Sequence, residues 1–299
     1  MDLALALARR VRPDVVIASD PDADRCAVAV PDPAAATAAD PAGWRMLRGD
    51  EVGVLLGAHV LARGVDPDGP HAVLARSIVS SRLLGAMAEA AGVPGVETLT
   101  GFKWIGRVPR LRYGYEEAIG YCVDPANVAD KDGISAALLI ADMVAGLRAQ
   151  GRTLLDVLDD LARRHGVYAT DALSVRVTDL SLIGEVMARL RAAPAAEIGG
   201  VGVVRIDDLA EGAGPGLPPT DGLRYLMADD TRVIVRPSGT EPKVKVYLEA
   251  IVPVHGGGVG AGSGRGDRVD GADPLAEARA EAARRLARTR AAMEELTRA

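Results

Sequence analysis

Val15-Val16-Ile17-Ala18-Ser19-Asp20-Pro21-Asp22-Ala23-Asp24-Arg25 sets an apolar run directly before three aspartates on alternate residues. The run reads as a buried strand of the parallel type, and open α/β sheets bind ligands beyond the carboxyl ends of such strands. Carboxylates this close repel one another unless a cation or solvent compensates. A hard divalent ion, Mg²⁺, is the natural partner of clustered carboxylate oxygens. Asp20, Asp22 and Asp24 are therefore candidate metal ligands. The same spacing opens a calcium-binding EF-hand loop, which requires Gly at its sixth position and Glu at its twelfth. Arg25 and Pro31 stand there instead, which excludes calcium binding of that type. Arg25 can neutralise a phosphate beside the metal or pair with one of the aspartates.

Working outward, Leu3 to Val11 reads as a helix and Cys26 to Val30 as a second strand, with Pro31 to Gly43 as a connector. These segments are too little for a domain and suggest the end of an α/β unit. Helices are expected at 50–63, 80–91, 134–147 and 154–164, and strands at 72–75, 96–99 and within 113–123. Asp132 is placed to cap the third of these helices. Alternating strands and helices predict a layered α/β domain with parallel pairing. From Tyr168 onward the pattern changes to alternating strands (173–177, 202–206, 224–227, 232–235, 244–251), with helices at 181–191 and 274–298. That predicts a smaller α+β domain with an antiparallel sheet. The expected division is 1–40, 41–166 and 167–299. His255 to Gly271 holds eight glycines and reads as a flexible linker.

Three further constellations carry chemistry. In Arg236-Pro237-Ser238-Gly239-Thr240-Glu241-Pro242-Lys243, Gly239 permits a positive φ that turns successive N–H groups toward an anion. Arg236 and the hydroxyls of Ser238 and Thr240 would complete a phosphate cradle; a polar turn between strands is the plainer reading. In Gly114-Tyr115-Glu116-Glu117-Ala118-Ile119-Gly120-Tyr121, adjacent glutamates suit vicinal sugar hydroxyls, because ionised carboxylates only accept hydrogen bonds. Thr100-Gly101-Phe102-Lys103-Trp104-Ile105-Gly106 offers Lys103 on a glycine-bounded loop as a phosphate contact. Five of the nine aromatic residues (Phe102, Trp104, Tyr113, Tyr115, Tyr121) fall close together, forming either the walls of a ligand cleft or a local aromatic core.

Composition sets the bounds. The chain has 299 residues, 48% hydrophobic and 25% charged, with a net charge of -6. That balance argues against nucleic acid or an anionic membrane as the main partner. Cys26 and Cys122 lack metal-ligand spacing, and a reducing cytoplasm is the expected location. The run from Ala136 to Leu147 is interrupted by Asp142, so no membrane span is expected. No Ser-His-Asp or Cys-His arrangement stands out among the four histidines, and His59 and His165 are expected on helix surfaces.

Taken together, Asp20–Arg25, Gly101–Lys103, Glu116–Tyr121, Lys131-Asp132-Gly133 and Arg236–Lys243, in this order and spacing, resemble the α-D-phosphohexomutases, the phosphoglucomutase and phosphomannomutase enzymes. Glu-Glu-Ala-Ile-Gly-Tyr looks closest to the subgroup containing phosphopentomutases and phosphoglucomutase-2-like enzymes. The resemblance implies four domains around one cleft and a phosphoserine that exchanges phosphate with a phosphosugar through a bisphosphorylated intermediate. It implies that Asp20, Asp22 and Asp24 hold Mg²⁺ and that Arg25 steadies the transferring phosphate. Glu116 would read sugar hydroxyls, while Arg236, Ser238, Gly239 and Thr240 would hold the unreactive phosphate. Lys103 would contact that phosphate or the sugar.

Two departures from the family pattern stand out. Ala118 occupies a position where many members carry Ser, which removes one hydroxyl contact to the sugar. Nothing matches the family's Ser-His-Asn-Pro phosphoserine loop, and neither Ser19 nor Ser238 is a candidate nucleophile. The expectation is the C-terminal half of a phosphosugar mutase: the end of domain II (1–40), domain III (41–166) and domain IV (167–299). Alone, such a chain is expected to have little mutase activity. The alternatives are a non-catalytic sugar-phosphate-binding fragment, or one half of a split enzyme completed by a separate N-terminal half.

Overall fold

The computed structural model describes residues 1–299 apart from Ala39, Thr178, Leu180, Ala213, Pro215, Thr240, 256–272 and Ala299. The glycine-rich segment expected as a linker lies almost wholly outside the described residues, as does Thr240 of the phosphate loop. Two compact units are present, Met1–Asp160 and Leu161–Ala299.

The first unit opens with helix α1 (Asp2–Val11), strand β1 (Val16–Ser19), strand β2 (Cys26–Pro31) and strand β3 (Trp44–Met46). These strands form an antiparallel sheet in the order β1-β2-β3, with Ser19 opposite Cys26. The parallel reading of the first strand is therefore corrected. Only Asp20 to Arg25 separate β1 from β2, and a parallel connection needs a crossover of a dozen or more residues. The acidic hexapeptide is thus the tip of a hairpin.

Next come α2 (Gly49–Ala62), β4 (Val73–Ser77), α3 (Leu83–Ala90), β5 (Gly95–Thr98), α4 (Phe102–Ile105), β6 (Leu111–Glu116), β7 (Gly120–Cys122), α5 (Gly133–Ala149) and α6 (Leu154–His165). The second sheet runs β5-β4-β6-β7, parallel from β5 to β6, with β7 antiparallel at the edge. Helix α2 is apolar on nearly all sides and buried, the pattern of a helix enclosed by other layers. Gly53 on this helix lets the Tyr115 ring lie against its backbone; any Cβ there would strike the ring. One core joins β2 to α2, β4, β6 and α5 through Cys26, Val28, Leu55, Leu74, Tyr113 and Ile140. Asp132 caps α5, its Oδ1 accepting from Ile134 N at 3.0 Å.

The aromatic cluster resolves as core except for Trp104, which is half-buried. Tyr113, Tyr115 and Tyr121 are fully buried and Phe102 nearly so. The tyrosine hydroxyls donate to Gly53 O at 2.7 Å, Asp50 Oδ1 at 3.0 Å and Gly49 O at 3.3 Å, which meets the need of each buried polar tip. His59 and His165 are half-buried rather than surface residues, and His59 Nε2 stands 3.5 Å from Asp142. Burial lowers the pKa of both.

The second unit holds β8 (Val167–Arg176), α7 (Ser181–Ala192), β9 (Glu197–Ile198), β10 (Val201–Asp208), β11 (Leu223–Met227), β12 (Arg232–Pro237), β13 (Lys243–Val252) and α8 (Pro274–Leu296). Its sheet runs β8-β13-β12-β11-β10-β9 with every pairing antiparallel. Alternate residues such as Val233, Val235, Val244, Val246 and Leu248 face α7 and α8, forming a core with Val186, Leu190, Leu286 and Met293. Arg232 and Glu249 sit opposite one another in this sheet, 3.3 Å apart and almost wholly buried. Among the described residues no single helix is long and apolar enough to cross a membrane.

Candidate active site

The acidic hairpin tip folds on itself. Asp20 Oδ1 accepts from Arg25 N at 3.3 Å, and Arg25 Nη1 lies 3.4 Å from Asp20 Oδ2. Ala23 adopts a φ of 58°, turning the chain so that its N–H donates to Asp20 O at 3.0 Å. Asp24 Oδ2 takes the Lys131 ammonium at 2.8 Å. That hydrogen bond is the main reason the Asp24 carboxyl titrates below its ordinary value. Asp24 Oδ1 is buried with no hydrogen-bond partner. Asp22 is exposed, and no hydrogen bond or ion pair among the described residues engages it.

This tip is shaped by a distant glycine. Gly133, the first residue of α5, lies so close to the hairpin that a Cβ there would strike Arg25 O and come within 2.7 Å of Ala23 O. Lys131-Asp132-Gly133 is thus a single bracket: a cation for Asp24, a cap for α5 and a bare backbone against which the loop rests. The motif was legible in the sequence, but the role of Lys131 was not, since only the fold brings it to Asp24.

Glu116 ends β6 and Gly120 begins β7, so the glutamate pair lies in a tight connection. Glu116 Oε1 accepts from Gly101 N at 3.1 Å, where Gly101 takes a φ of 107° that favours glycine. Burial raises the Glu116 pKa, opposed by the Gly101 N–H and by the charges of Lys131 and Arg25. Cys26 N donates to Ile119 O at 3.1 Å, and Asp132 N to Tyr121 O at 2.9 Å, tying this connection to the acidic hairpin and to the α5 cap. Lys131 pairs with Asp24 and, at 3.6 Å, with Asp130; its charge and that of Arg25 act on Glu116, Arg25 in turn pairs with Asp20, and the Lys131 ammonium lies 5.8 Å from the Phe102 ring centroid. Glu117 does not join them, turning instead to Ser77 and Ser80. Lys103 is on α4, not a loop; it is exposed, 5.6 Å over the Trp104 ring, with no hydrogen bond or ion pair among the described residues.

The expected phosphate loop lies in the second unit. Arg236 and Pro237 belong to β12, opposite Lys245 and Val244, so the connection is shorter than the sequence suggested. Ser238 N donates to Lys243 O at 2.9 Å, and Lys243 Nζ pairs with Glu241 Oε1 at 2.7 Å. That bond, then the charges of Arg176 and Lys245, holds the Glu241 carboxyl below its ordinary value. Gly239 is exposed but is not in the left-handed region, so the positive φ expected there is corrected; a Cβ would meet open space. No hydrogen bond or ion pair among the described residues engages the Arg236 side chain, which leaves its guanidinium available to an anion. Arg176 stands opposite Lys243 across β8 and β13. This extra cation escaped the sequence reading because only strand register brings it there.

The donor chemistry of the acidic hairpin fits a hard cation: every side-chain donor is a carboxylate oxygen, and Asp24 Oδ1 is a buried oxygen with no partner. As they stand, the three carboxylates are not gathered into one site; no group of three His, Cys, Asp or Glu among the described residues could hold a metal. Lys131 and Arg25 supply the positive charge instead.

One unit joins a sheet with helical layers to a carboxylate-and-lysine centre; the other is an antiparallel sheet with a basic loop. The family model for phosphoglucomutase/phosphomannomutase α/β/α domain III matches residues 48–165, and that for the C-terminal domain matches 173–251. The chain belongs to the α-D-phosphohexomutase family. It is 44% identical over 251 residues to a Haemophilus influenzae protein described as "Probable phosphomannomutase", covering 84% of this chain and 49% of that one. It is 31% identical over 281 residues to the human phosphopentomutase, covering 85% and 45%. The chain thus spans about half the length of the curated relatives it matches. Among solved structures, a phosphoglucomutase/phosphomannomutase family protein from Burkholderia thailandensis superposes with a TM-score of 0.60 at 17% identity, over 99% of this chain and 49% of that one. Parafusin, a phosphoglucomutase from Paramecium, gives 0.60 at 19% identity, over 95% and 46%.

Proposed function

We propose that the chain supplies the metal-binding and substrate-recognising residues of a phosphosugar mutase. The reaction moves a phosphoryl group between the 1-position and the 6- or 5-position of a sugar phosphate by way of a phosphoserine, which no serine in these motifs supplies. The observation that carries this reading is the cluster in which Asp24 pairs with Lys131, Asp20 pairs with Arg25, and Glu116 lies within the field of both cations. Opposed charges of this kind suit a phosphoryl group beside a sugar hydroxyl.

Asp20, Asp22 and Asp24 would hold Mg²⁺, which when bound offsets charge on the transferring phosphoryl group. Arg25 steadies that group and leaves Asp20 to do so. Glu116, fixed by the Gly101 N–H, accepts hydrogen bonds from sugar hydroxyls. Lys103, exposed on α4, contacts the phosphate or the sugar. Arg236, Ser238, Gly239 and Thr240 hold the phosphate that does not react, with a bidentate guanidinium as the strongest contact. The protein acts in the cytoplasm.

The test is calorimetric titration of the purified chain with glucose 1-phosphate, mannose 1-phosphate and ribose 1-phosphate, with and without Mg²⁺. Saturable binding of at least one, weakened on the order of tenfold by Glu116→Gln, is the expected result. Absence of binding to all three, by a chain shown to be folded, sinks the reading.

A further inference from the structure

Ser77 closes β4 and Ser80 lies in the turn after it, both with no solvent exposure. Buried hydroxyls require partners, and these two converge on one oxygen of Glu117. Glu117 Oε2 lies 3.2 Å from Ser77 Oγ and 3.1 Å from Ser80 Oγ, while the two hydroxyls are 2.7 Å apart. Two backbone N–H groups enter from outside: Ser80 N donates to Ser77 Oγ at 3.2 Å, and Glu117 N to Ser80 Oγ at 3.0 Å.

A triangle of three oxygens at these distances is fully hydrogen-bonded only with one hydrogen on each edge. The serines supply two. If Glu117 is ionised, one edge has lone pairs facing lone pairs; with both hydroxyls turned to the carboxylate, that edge is the 2.7 Å contact between the serines. A protonated Glu117 supplies the third hydrogen, and every oxygen then donates once around the ring. The electrostatic surroundings agree. Burial, then the neighbouring Glu116 carboxylate, pushes the Glu117 pKa up, outweighing its hydrogen bonds with Ser80 and Ser77, which lower it. On α2, Asp50 is another carboxylate, whose Oδ1 accepts from Ser81 N and the Tyr115 hydroxyl. Arg76 on β4 is engaged by Glu97 at 2.8 Å. No ammonium or guanidinium among the described residues bonds to Glu117.

We propose that Glu117 is a neutral carboxylic acid closing this ring with Ser77 and Ser80, and that it is a positioning residue for Glu116. Ser80 holds the N–H of the peptide that joins the two glutamates, and the carbonyl of the next peptide, Glu117 O, packs directly against Gly49. Glu116 Oε1 is thereby set on the Gly101 N–H. A phosphosugar, itself an anion, meets one negative charge on this connection instead of two. The sugar contact rests on the function proposed above; the protonation state and the positioning do not.

The experiment is carboxyl ¹³C NMR of the purified, uniformly labelled chain, with the Glu117 carbon assigned through its own side chain and backbone. The protonated-acid chemical shift at pH 7 is expected. A carboxylate shift at pH 7, titrating in the ordinary glutamate range, overturns the proposal. For positioning, Glu117→Gln, a neutral isostere, is expected to leave the Gly101 amide resonance in place. Glu117→Ala is expected to move it and to weaken glucose 1-phosphate binding on the order of tenfold. A Gly101 amide unchanged in a folded Glu117→Ala chain refutes the positioning role, as does one displaced in a folded Glu117→Gln chain. The resonances decide both points whether or not the wild-type chain binds glucose 1-phosphate, so this proposal and the sugar contact fail separately.

Discussion

The connection carrying Glu116 and the loop carrying Arg236 are both short turns between antiparallel strands, yet they are held in opposite ways. The first is fixed from four sides: by Gly101 N, by Cys26 N, by Ser77 with Ser80, and by Gly49. The second stands at the end of its sheet with Gly239 exposed and the Arg236 guanidinium unengaged among the described residues. A contact that must tell one hydroxyl arrangement from another needs a fixed acceptor. A contact that holds phosphate needs charge and donors, and can settle when the anion arrives. The difference matches the proposed division between sugar recognition and phosphate holding.

That contrast can be broken by experiment. The largest effect is expected in the antiparallel unit, away from the loop itself. Glu249→Ala leaves Arg232 buried without its cross-strand partner, at a cost of about 3–5 kcal/mol; urea denaturation measures it, and a loss below about 1 kcal/mol would show that the pair is not the anchor of this sheet. Next is Gly133→Ala, which forces a methyl into the backbone of the acidic hairpin. About 1–3 kcal/mol of stability should go, together with Mg²⁺ affinity, read by melting and by metal titration. Arg236→Ala should weaken binding of inorganic phosphate on the order of tenfold while moving stability by less than about 0.5 kcal/mol. A stability loss comparable to that of Gly133→Ala would mean that the phosphate loop is locked after all.

The smallest expected effect is in pH dependence, and its sign differs between the Glu116 connection and strand β10 of the unit that carries the Arg236 loop. Glu116 and Glu117 titrate above their ordinary value of 4.5. Their stabilisation is full below that value and is lost as pH rises through the folded pKa. Asp208, hydrogen-bonded by Arg191, titrates below its ordinary 3.8. Asp207 does the same despite burial, through Arg205 and Arg224. Their stabilisation is present above that value and is lost as pH falls through the folded pKa. Hydrogen exchange followed from pH 7 to pH 3, corrected for intrinsic rates, should show protection falling around Asp207 and Asp208 while it holds at Glu116 to Gly120. Equal loss in both peptides would remove the contrast.

Most long elements were legible because their periodicity reflects burial on one face or on all. The helices at Gly133–Ala149, with its Asp132 cap, and Pro274–Leu296 stood out in the sequence; the Asp273 cap of the second is seen only in the structure. The short ones were not: β3, β9 and α4 have three, two and four residues, too few to show any period. The first strand misled because its apolar run looked doubly buried, although the six residues before β2 already excluded a parallel crossover. Of the site, the aspartates, Glu116 and Arg236 could be read from motif and charge. The different fates of Glu116 and Glu117 could not, since two adjacent glutamates are chemically alike until the fold gives one an amide and the other two serines.

The bare α-carbon at the start of α5 has a practical consequence. The internal hydrogen bonds of the acidic hexapeptide do not act alone; the turn is also moulded against Gly133 and tethered by Lys131, far along the chain. A grafted Asp20–Arg25 segment should therefore arrive on a foreign scaffold with its internal hydrogen bonds but without the supports that fix its outer shape. For the site to travel, the hairpin and the helix start have to be transplanted as a matched pair.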